Sequence, residues 1–326
     1  MPPSLRVGLL ETLGRIGTNE AEGVLVKELG ATSSGVEVSL IDRLLTQMAE
    51  GEHEYKKQVL GAAKYLIKNP PPAPDVPTRM DQRATDELWS ILIRYKDATF
   101  SEVAGDMLIT DEGDLSRLAL RYFREVMKKD AIPILAAAYY SPDTGDRAKG
   151  ELWGVINDHI DDHPAAGQIL VERFKESLVK MVEEDAARAK AEAERAANPD
   201  AQGGRGGRGG FDFRSMMGGR GGGARGTAVR ELQRLGEGKD LSAEAITNRR
   251  SILTSVKSTT SDTDFQAMIT TVETRLDELA NPTENTSSGF RVSDPREAAR
   301  REEMRKRFEG LRNRGGEGGQ PPAKKN

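Results

Sequence analysis

The sequence predicts an all-α protein: an α-solenoid of antiparallel helix pairs, followed by a disordered Gly/Arg linker and a small C-terminal helical module. Three observations predict this class. Apolar residues recur at helical spacing along most of the chain, and no run alternates with the period of two that is typical of a strand. Aromatic residues make up only 5% of the chain, which favours aliphatic helix packing. Glycines and prolines separate the apolar stripes into short segments.

The first helix pair is predicted in residues 5–30. Gly17 allows the chain to turn, and Thr18 or Asn19 can cap the second helix. Neither helix is long enough to be stable alone in water, so we expect the pair to stack on further helices. The apolar face of the first helix carries Leu5, Leu9, Leu10, Leu13 and Ile16.

Further helix pairs are predicted as far as residue 156. A second pair of similar size lies about 35 residues after the first, within the range of helical repeats. The proline-rich stretch 69–79 cannot be helical, and we interpret it as a surface linker between repeats. Helical spacing then resumes, for example through Leu88, Ile91 and Leu92, and through Leu115, Ala119 and Tyr122.

The first pair resembles a known repeat family. The stretch LLETLGRIGTNEAEGVLVKELG is similar to a HEAT repeat of the short bacterial, phycobilisome-lyase-like kind. The resemblance is clear over residues 5–30 and loose to about 160. It implies an α-solenoid used for protein contacts, and it implies no lyase activity, since nothing here resembles a chromophore site. The residues that carry it are Leu10, Leu13, Gly14, Ile16, Gly17, Ala21, Leu25 and Leu29.

The second half of the chain changes composition twice. A helix from Pro164 loses its apolar stripe after Met181 and becomes charge and alanine, which predicts a projection into solvent. A stretch that is half glycine follows, and glycine at that density predicts a flexible linker. The predicted domains are a HEAT-like α-solenoid at 3–182, a projecting charged helix at 183–199, a Gly/Arg-rich linker at 200–226, a helical module at 227–281, and a mostly disordered tail at 282–326 with an Arg-rich helix at 295–309.

No catalytic or metal-binding motif emerges from the sequence. It contains no cysteine, no Gly-x-Ser-x-Gly elbow, no phosphate-binding P-loop and no dinucleotide fingerprint. His159 and His163 have the i, i+4 spacing of a helical metal chelate, but Pro164 biases His163 out of the helix. Asp161 and Asp162 fit better as caps of the following helix. We therefore expect no enzyme, no cofactor and no bound metal.

The Gly/Arg segment is the one candidate nucleic-acid site. Its arginines stand in glycine beside two phenylalanines, with only Asp212 opposing them, as in an RGG box of RNA-binding proteins. Guanidinium planes and phenyl rings can stack on unpaired bases while the arginines neutralise phosphates. A solvated linker is the interpretation that we favour, because charged glycine linkers are common. The candidate contacts are Arg205, Arg208, Phe211, Phe213, Arg214, Arg220 and Arg225.

The function expected from the sequence is a non-catalytic HEAT-repeat scaffold that presents a groove to a protein partner of unknown identity. The alternative is an RNA-associated protein that uses the RGG-like linker and the basic C-terminal helix. The net charge of −4 makes no whole-chain case for nucleic acid or an anionic membrane.

The N-terminus bears on the compartment. No signal peptide is recognisable and no stretch approaches the roughly 18 apolar residues of a membrane span, so we expect a cytoplasmic protein. A solenoid that begins at Leu5 would open with an uncapped apolar face, although repeat arrays normally have polar caps. This favours the hypothesis that the chain is the C-terminal part of a longer repeat protein, which would also allow export.

Overall fold

The structure is a computed structural model that describes residues 5–49, 54–72, 79–197, 223–282, 289–299, 301–303 and 305–306. Within these ranges the chain is all-α, with thirteen α-helices packed against each other and no strand. The predicted all-α class is confirmed. The chain divides into two compact units, Met1–Ile156 and Asn157–Asn326.

The first unit holds nine of the helices within the part of the chain that the structure describes. They are α1 (Leu5–Ile16), α2 (Asn19–Ala31), α3 (Gly35–Met48), α4 (Lys56–Lys68), α5 (Arg79–Arg94), α6 (Ser101–Asp106), α7 (Arg117–Tyr122), α8 (Ile132–Tyr140) and α9 (Asp146–Ile156).

Local signals set the starts and ends of these helices. Gly17 has a φ of +65° and makes the turn between α1 and α2. The hydroxyl of Thr18 accepts a hydrogen bond from the Ala21 backbone N–H at 3.4 Å, and Ser34 does the same for Glu37 at 3.5 Å. The capping role predicted for Thr18 is confirmed.

The helices α1 to α5 pack in a regular pattern. Helix α1 packs against α2 and α3, helix α3 packs against α4 and α5, and α2 packs against α4. Helices α1, α2 and α3 therefore each contact their hairpin partner and the corresponding helix of the next pair, and α4 packs against α5. The residues that fill these contacts are aliphatic and fully or almost fully buried: Leu10, Ala21, Leu25, Leu29, Val38, Ile41, Leu45, Val59 and Ala63.

The end of the first unit is less regular than the apolar spacing predicts. Leu115 does not begin a helix, because its backbone forms an isolated antiparallel bridge with Ile109. Helix α7 ends at Tyr122 and continues as a π-helical segment, Phe123–Met127. The rings of Trp89, Phe100, Tyr122 and Phe123 pack edge to face, with neighbouring centroids 5.5–6.5 Å apart. An aromatic cluster thus replaces the aliphatic contacts of the first helix pairs.

We expect Gly35→Ala to destabilise the first unit by about 1–3 kcal/mol through overpacking. A Cβ at this position would lie 2.6 Å from the Ala84 carbonyl oxygen and 2.9 Å from Leu88 Cγ, where α3 meets α5. Gly61→Ala is the matched control, because Gly61 lies within α4 with no atom within 4 Å of the added methyl. That change should stabilise the protein by about 0.5–1 kcal/mol. Urea unfolding measures both, and an unchanged midpoint for Gly35→Ala would contradict the close α3–α5 contact.

The second unit contains four long helices among the described residues: α10 (Pro164–Ala197), α11 (Ala224–Gly236), α12 (Ala243–Lys257) and α13 (Thr263–Ala280). Helix α10 packs against α11 and α12, and these two pack against α13. Phe174 of α10 meets Phe265 of α13 at a ring-centroid distance of 5.6 Å, and both side chains are fully buried.

This grouping differs from the predicted domains in two places. Residues 164–182 belong to the second unit, whereas the apolar spacing predicts them as the end of the solenoid. The apolar stripe of α10 is buried against the C-terminal helices. Helix α11 begins at Ala224, inside the predicted linker. The rest of that linker, 200–222, lies outside the described residues.

The remaining parts of the second unit are polar. Helix α10 continues to Ala197, and from Asp185 onward its described side chains are exposed. The C-terminal stretch is helical at 295–299, 301–303 and 305–306, within the predicted Arg-rich helix, while 307–309 lie outside the described residues. No helix in the described ranges is both long and apolar enough to cross a membrane.

Candidate functional site

One of the seven predicted nucleic-acid contacts is described by the structure, and it is an ion-pair residue. Arg225 lies in the first turn of α11 with a side chain that is 17% exposed. The other six, Arg205, Arg208, Phe211, Phe213, Arg214 and Arg220, lie outside the described residues.

Arg225 is held on three sides. Its Nε and Nη2 donate to the two carboxylate oxygens of Asp294 at 2.7 and 2.8 Å, and Nη2 also donates to Asp264 at 3.2 Å. The guanidinium lies 4.9 Å from the ring centroid of Phe265. The bond to Asp294 raises the pKa of Arg225 above its ordinary value. The guanidinium of Arg225 therefore makes its hydrogen bonds within the second unit. Through them Arg225 connects α11 to α13 and to the C-terminal stretch.

A second arginine extends this network. Arg296 donates to Asp262 at 3.0 Å and to Asp264 at 2.6 Å. Burial alone would raise the pKa of the Asp294 carboxyl, but its bonds to Arg225 and to backbone N–H groups hold that pKa below its ordinary value. The five side chains, Arg225, Arg296, Asp262, Asp264 and Asp294, form what we call the arginine–aspartate cluster.

Arg249 forms a largely buried ion pair of the second unit. Its side chain is 7% exposed, and it donates to both oxygens of Asp161 at 2.6 and 2.7 Å. Its Nη1 donates to the carbonyl oxygens of Leu235 and Glu237, which are left open where α11 ends. A cation at a helix C-terminus also interacts favourably with the helix dipole. Asp161 was predicted as a helix cap, and the structure instead pairs it with a residue far along the chain.

The histidines of the same segment have structural contacts. His159 Nδ1 lies 3.1 Å from an oxygen of Asp162, and His163 Nδ1 accepts from the Ala165 backbone N–H at 3.2 Å, in the first turn of α10. Among the described residues, no group of three or more metal-ligating side chains comes together.

A buried carboxylate joins two helices of the first unit. Asp42 of α3 is fully buried, pairs with Arg94 at the end of α5 and accepts from the Tyr95 hydroxyl at 2.6 Å. Burial raises the pKa of Tyr95 to about 12, and the hydrogen bond to Asp42 acts in the same direction. The arrangement holds α3 on α5 through polar contacts, beside the hydrogen bond that Ser39 of α3 donates to Glu87 of α5 at 2.8 Å.

The clearest candidate for a binding surface is an exposed apolar face on α1. Leu5, Leu9 and Ile16 are 82%, 57% and 56% exposed, and their i, i+4, i+11 spacing puts them on one side of the helix. We call these three residues the α1 stripe. Leu10, which faces the core, is only 3% exposed. Of the five residues predicted on the apolar face of α1, Leu5, Leu9 and Ile16 are therefore exposed, whereas Leu13 is half-buried and Leu10 is buried.

Comparisons with protein-family models, with curated proteins and with solved structures found no match to this chain. The HEAT resemblance consequently rests on the residues of α1 and α2 and stays a prediction.

Proposed function

We propose that this chain is a non-catalytic HEAT-repeat scaffold that binds a protein partner through the α1 stripe. The observation that carries the proposal is the exposure of Leu5, Leu9 and Ile16 on one helix face. Exposing a row of aliphatic side chains to water is unfavourable in free energy, and contact with another protein removes that surface from water.

The packing of α1 to α5 supports the solenoid arrangement. Helices α1, α2 and α3 each contact their hairpin partner and the corresponding helix of the following pair, as stacked helical repeats do. Within the described residues, α3 has both α1 and α5 as neighbours in this series, whereas α1 has only α3. The α1 stripe is thus an exposed surface that carries the same kind of aliphatic side chains as the internal contacts.

The energy available at this surface suits specific but modest binding. Full burial of one aliphatic side chain is worth about 1.5–3 kcal/mol, and the three stripe residues start from more than half exposure. Part of that gain is offset by the entropy of association. A partner that covers the stripe alone should therefore bind weakly, with a dissociation constant no lower than about 0.1 mM, and tighter binding requires contacts beyond the stripe.

The RNA-associated alternative ranks second. Four of its five linker arginines lie outside the described residues, and the fifth, Arg225, is committed to Asp294. In the basic C-terminal stretch, Arg296 pairs with two aspartates and Arg301 pairs with Glu297 at 2.5 Å. These contacts compete with phosphate binding at the same side chains.

Site-specific photo-crosslinking in the source cell tests the proposal. Thr12 lies on α1 between Leu9 and Ile16, is exposed, and donates its hydroxyl to the Gly8 carbonyl, so a benzoylphenylalanine there should leave the helix intact. We expect a discrete protein adduct. Thr271 on α13 is the matched control, since it is exposed and makes the same bond to the residue four positions earlier. No protein adduct from Thr12, or identical adducts from both positions, would refute the proposal.

A further inference from the structure

We propose that the first unit has a second binding surface, a groove that takes a basic segment of another protein together with an apolar side chain of that segment. The groove lies between α6, the first turns of α8 and the loops that follow these two helices, and its volume is about 890 Å³. The residues that line it fall between positions 101 and 143, so the groove is separate from the α1 stripe. The inference therefore goes beyond the proposed function and does not depend on it.

Five exposed carboxylates surround the groove. Among the described residues that line it, there is no lysine or arginine to balance them, and within the described ranges none of the five forms an ion pair. Like charges gathered on one surface repel each other, and cations bound between them remove that repulsion. We call this surface the acidic groove, and its acids are Glu102, Asp106, Asp111, Glu112 and Asp143.

The floor of the acidic groove is apolar. Helices α6 and α8 meet there at close range, because a Cβ at Gly105 would lie 3.2 Å from Ile134 Cγ2. Ile109 and Ile134 are half-buried, and Pro133 and Ala137 are exposed. Such a floor gains from contact with an apolar side chain, whereas a bare cation gains nothing from it. A ligand that carries both an apolar side chain and cations therefore uses the whole surface.

Hydrogen bonds fix the two acidic loops of the groove to each other. The Gly145 N–H donates to the Gly113 carbonyl oxygen at 3.0 Å. Gly113 has a φ of +79°, and a Cβ there would lie 2.6 Å from the Asp143 carbonyl oxygen, so the loops touch backbone to backbone. Thr144 is 4% exposed and donates its hydroxyl to the Ala138 carbonyl oxygen at 2.6 Å, which anchors the second loop to α8. A groove fixed in this way loses little conformational entropy on binding.

The placement of the acids favours several separate cations over one metal ion. A calcium ion needs several oxygen ligands within about 2.6 Å of one point. In the part of the chain that the structure describes, no three acidic or histidine side chains converge in this way. The acids are instead distributed over α6 and two loops. Lysines and arginines along an extended segment, at about 3.3 Å per residue, can meet such acids one by one. The same acids repel the phosphates of nucleic acid.

Selection from a random peptide library displayed on phage tests the inference without knowledge of the partner. The target is the full chain. We expect the enriched peptides to combine an apolar residue with several lysines or arginines in one short stretch. Binding of a selected peptide, measured by fluorescence anisotropy, should weaken with added salt, because exposed charges are screened.

Removing three of the acids should weaken binding of the selected peptide. Its dissociation constant should rise about ten-fold, because three exposed charge contacts of ordinary strength together amount to about one factor of ten. The side chains concerned are exposed, so we expect the variant to keep the melting temperature of the wild type. The variant combines Asp106→Asn, Asp111→Asn and Asp143→Asn.

A matched control changes the net charge by the same amount on another surface. Its three glutamates are exposed on α10 in the second unit, so binding of the peptide should stay unchanged. The control combines Glu176→Gln, Glu183→Gln and Glu192→Gln.

A further variant tests the apolar floor without a change of charge. In Ala137→Trp a large ring fills part of the groove, so we expect the peptide to lose most of its affinity. Ala187→Trp on α10 is the control, because Ala187 is also an exposed alanine on a helix. It should bind the peptide as the wild type does.

Three results would overturn the inference. The first is a selection that enriches no basic peptides. The second is equal binding of the peptide by the groove variants and their controls. The third is displacement of the peptide by spermidine at the same concentration, which would show that the groove recognises positive charge alone. Each of these results leaves the proposal for the α1 stripe untouched.

Discussion

Replacing Arg249 with alanine is expected to lower the free energy of unfolding of the second unit by about 3–5 kcal/mol, the usual cost of removing one partner of a buried ion pair. The side chain is 7% exposed, and its loss leaves Asp161 without its bidentate partner. It also leaves the carbonyl oxygens of Leu235 and Glu237 without this donor at the end of α11. Asp161 is 25% exposed, so water compensates part of the loss and the lower end of the range is the better guide.

Arg250→Ala is the matched control for this experiment. Arg250 is the next residue on α12, and its side chain is 50% exposed and pairs with the exposed Asp277. Such surface pairs contribute about 0–1 kcal/mol, so the control should change stability little. Urea unfolding followed by circular dichroism measures both variants. Equal effects of the two substitutions would show that burial of Arg249 does not contribute to stability.

Replacing Arg225 with serine should destabilise the second unit by about 2–3 kcal/mol. The substitution removes a charge-assisted bidentate bond and leaves Asp294, whose side chain is 11% exposed, without its principal partner. It also removes the contact of the guanidinium with the ring of Phe265. Loss of Arg225 should additionally loosen the C-terminal stretch, because Asp294 is its anchor to α11.

Arg230→Ser serves as the comparison, because Arg230 is on the same helix and is exposed. We expect its effect to remain within about 0.5 kcal/mol. Thermal unfolding by circular dichroism measures the difference, and a melting temperature of Arg225→Ser equal to that of Arg230→Ser would contradict the role of the arginine–aspartate cluster. A test of RNA binding should therefore replace only Arg205, Arg208, Arg214 and Arg220, since Arg225→Ser would also destabilise the second unit.

The sequence predicts where the helices lie much better than it predicts which helices pack against each other. Helical spacing and glycine signals identify α1 and α2 with their cap at Thr18, because these are interactions between residues close in the chain. The same spacing shows that Phe174 lies on an apolar face of α10, but an apolar face carries no information about which helix covers it. For that reason the apolar spacing assigns residues 164–182 to the solenoid, although they pack in the second unit.

The ion pairs show the same limit for the candidate site. Arg249 and Asp161 are 88 positions apart, and no spacing rule relates two such residues. Arg225 follows a glycine-rich stretch, so its neighbours in sequence predict a linker, whereas its partners Asp264 and Asp294 lie 39 and 69 positions away. The apolar spacing of α1 is local and was predictable, but the spacing groups Leu10 with Leu5 and Leu9, although Leu10 is buried and the other two are exposed.

The buried Asp42 affects how α3 and α5 are aligned along each other in the first unit. Several contacts between α3 and α5 depend on the alignment of the two helices, among them the close approach of Gly35 to Ala84 and the hydrogen bond from Ser39 to Glu87. A slide of about 5 Å would pull Asp42 away from Arg94 and Tyr95 and strand a carboxylate in an apolar environment. Displaced alignments are thereby penalised far more than the native one is stabilised. We expect Asp42 to act together with these contacts, so that the first unit adopts one alignment of α3 on α5 rather than several of nearly equal free energy.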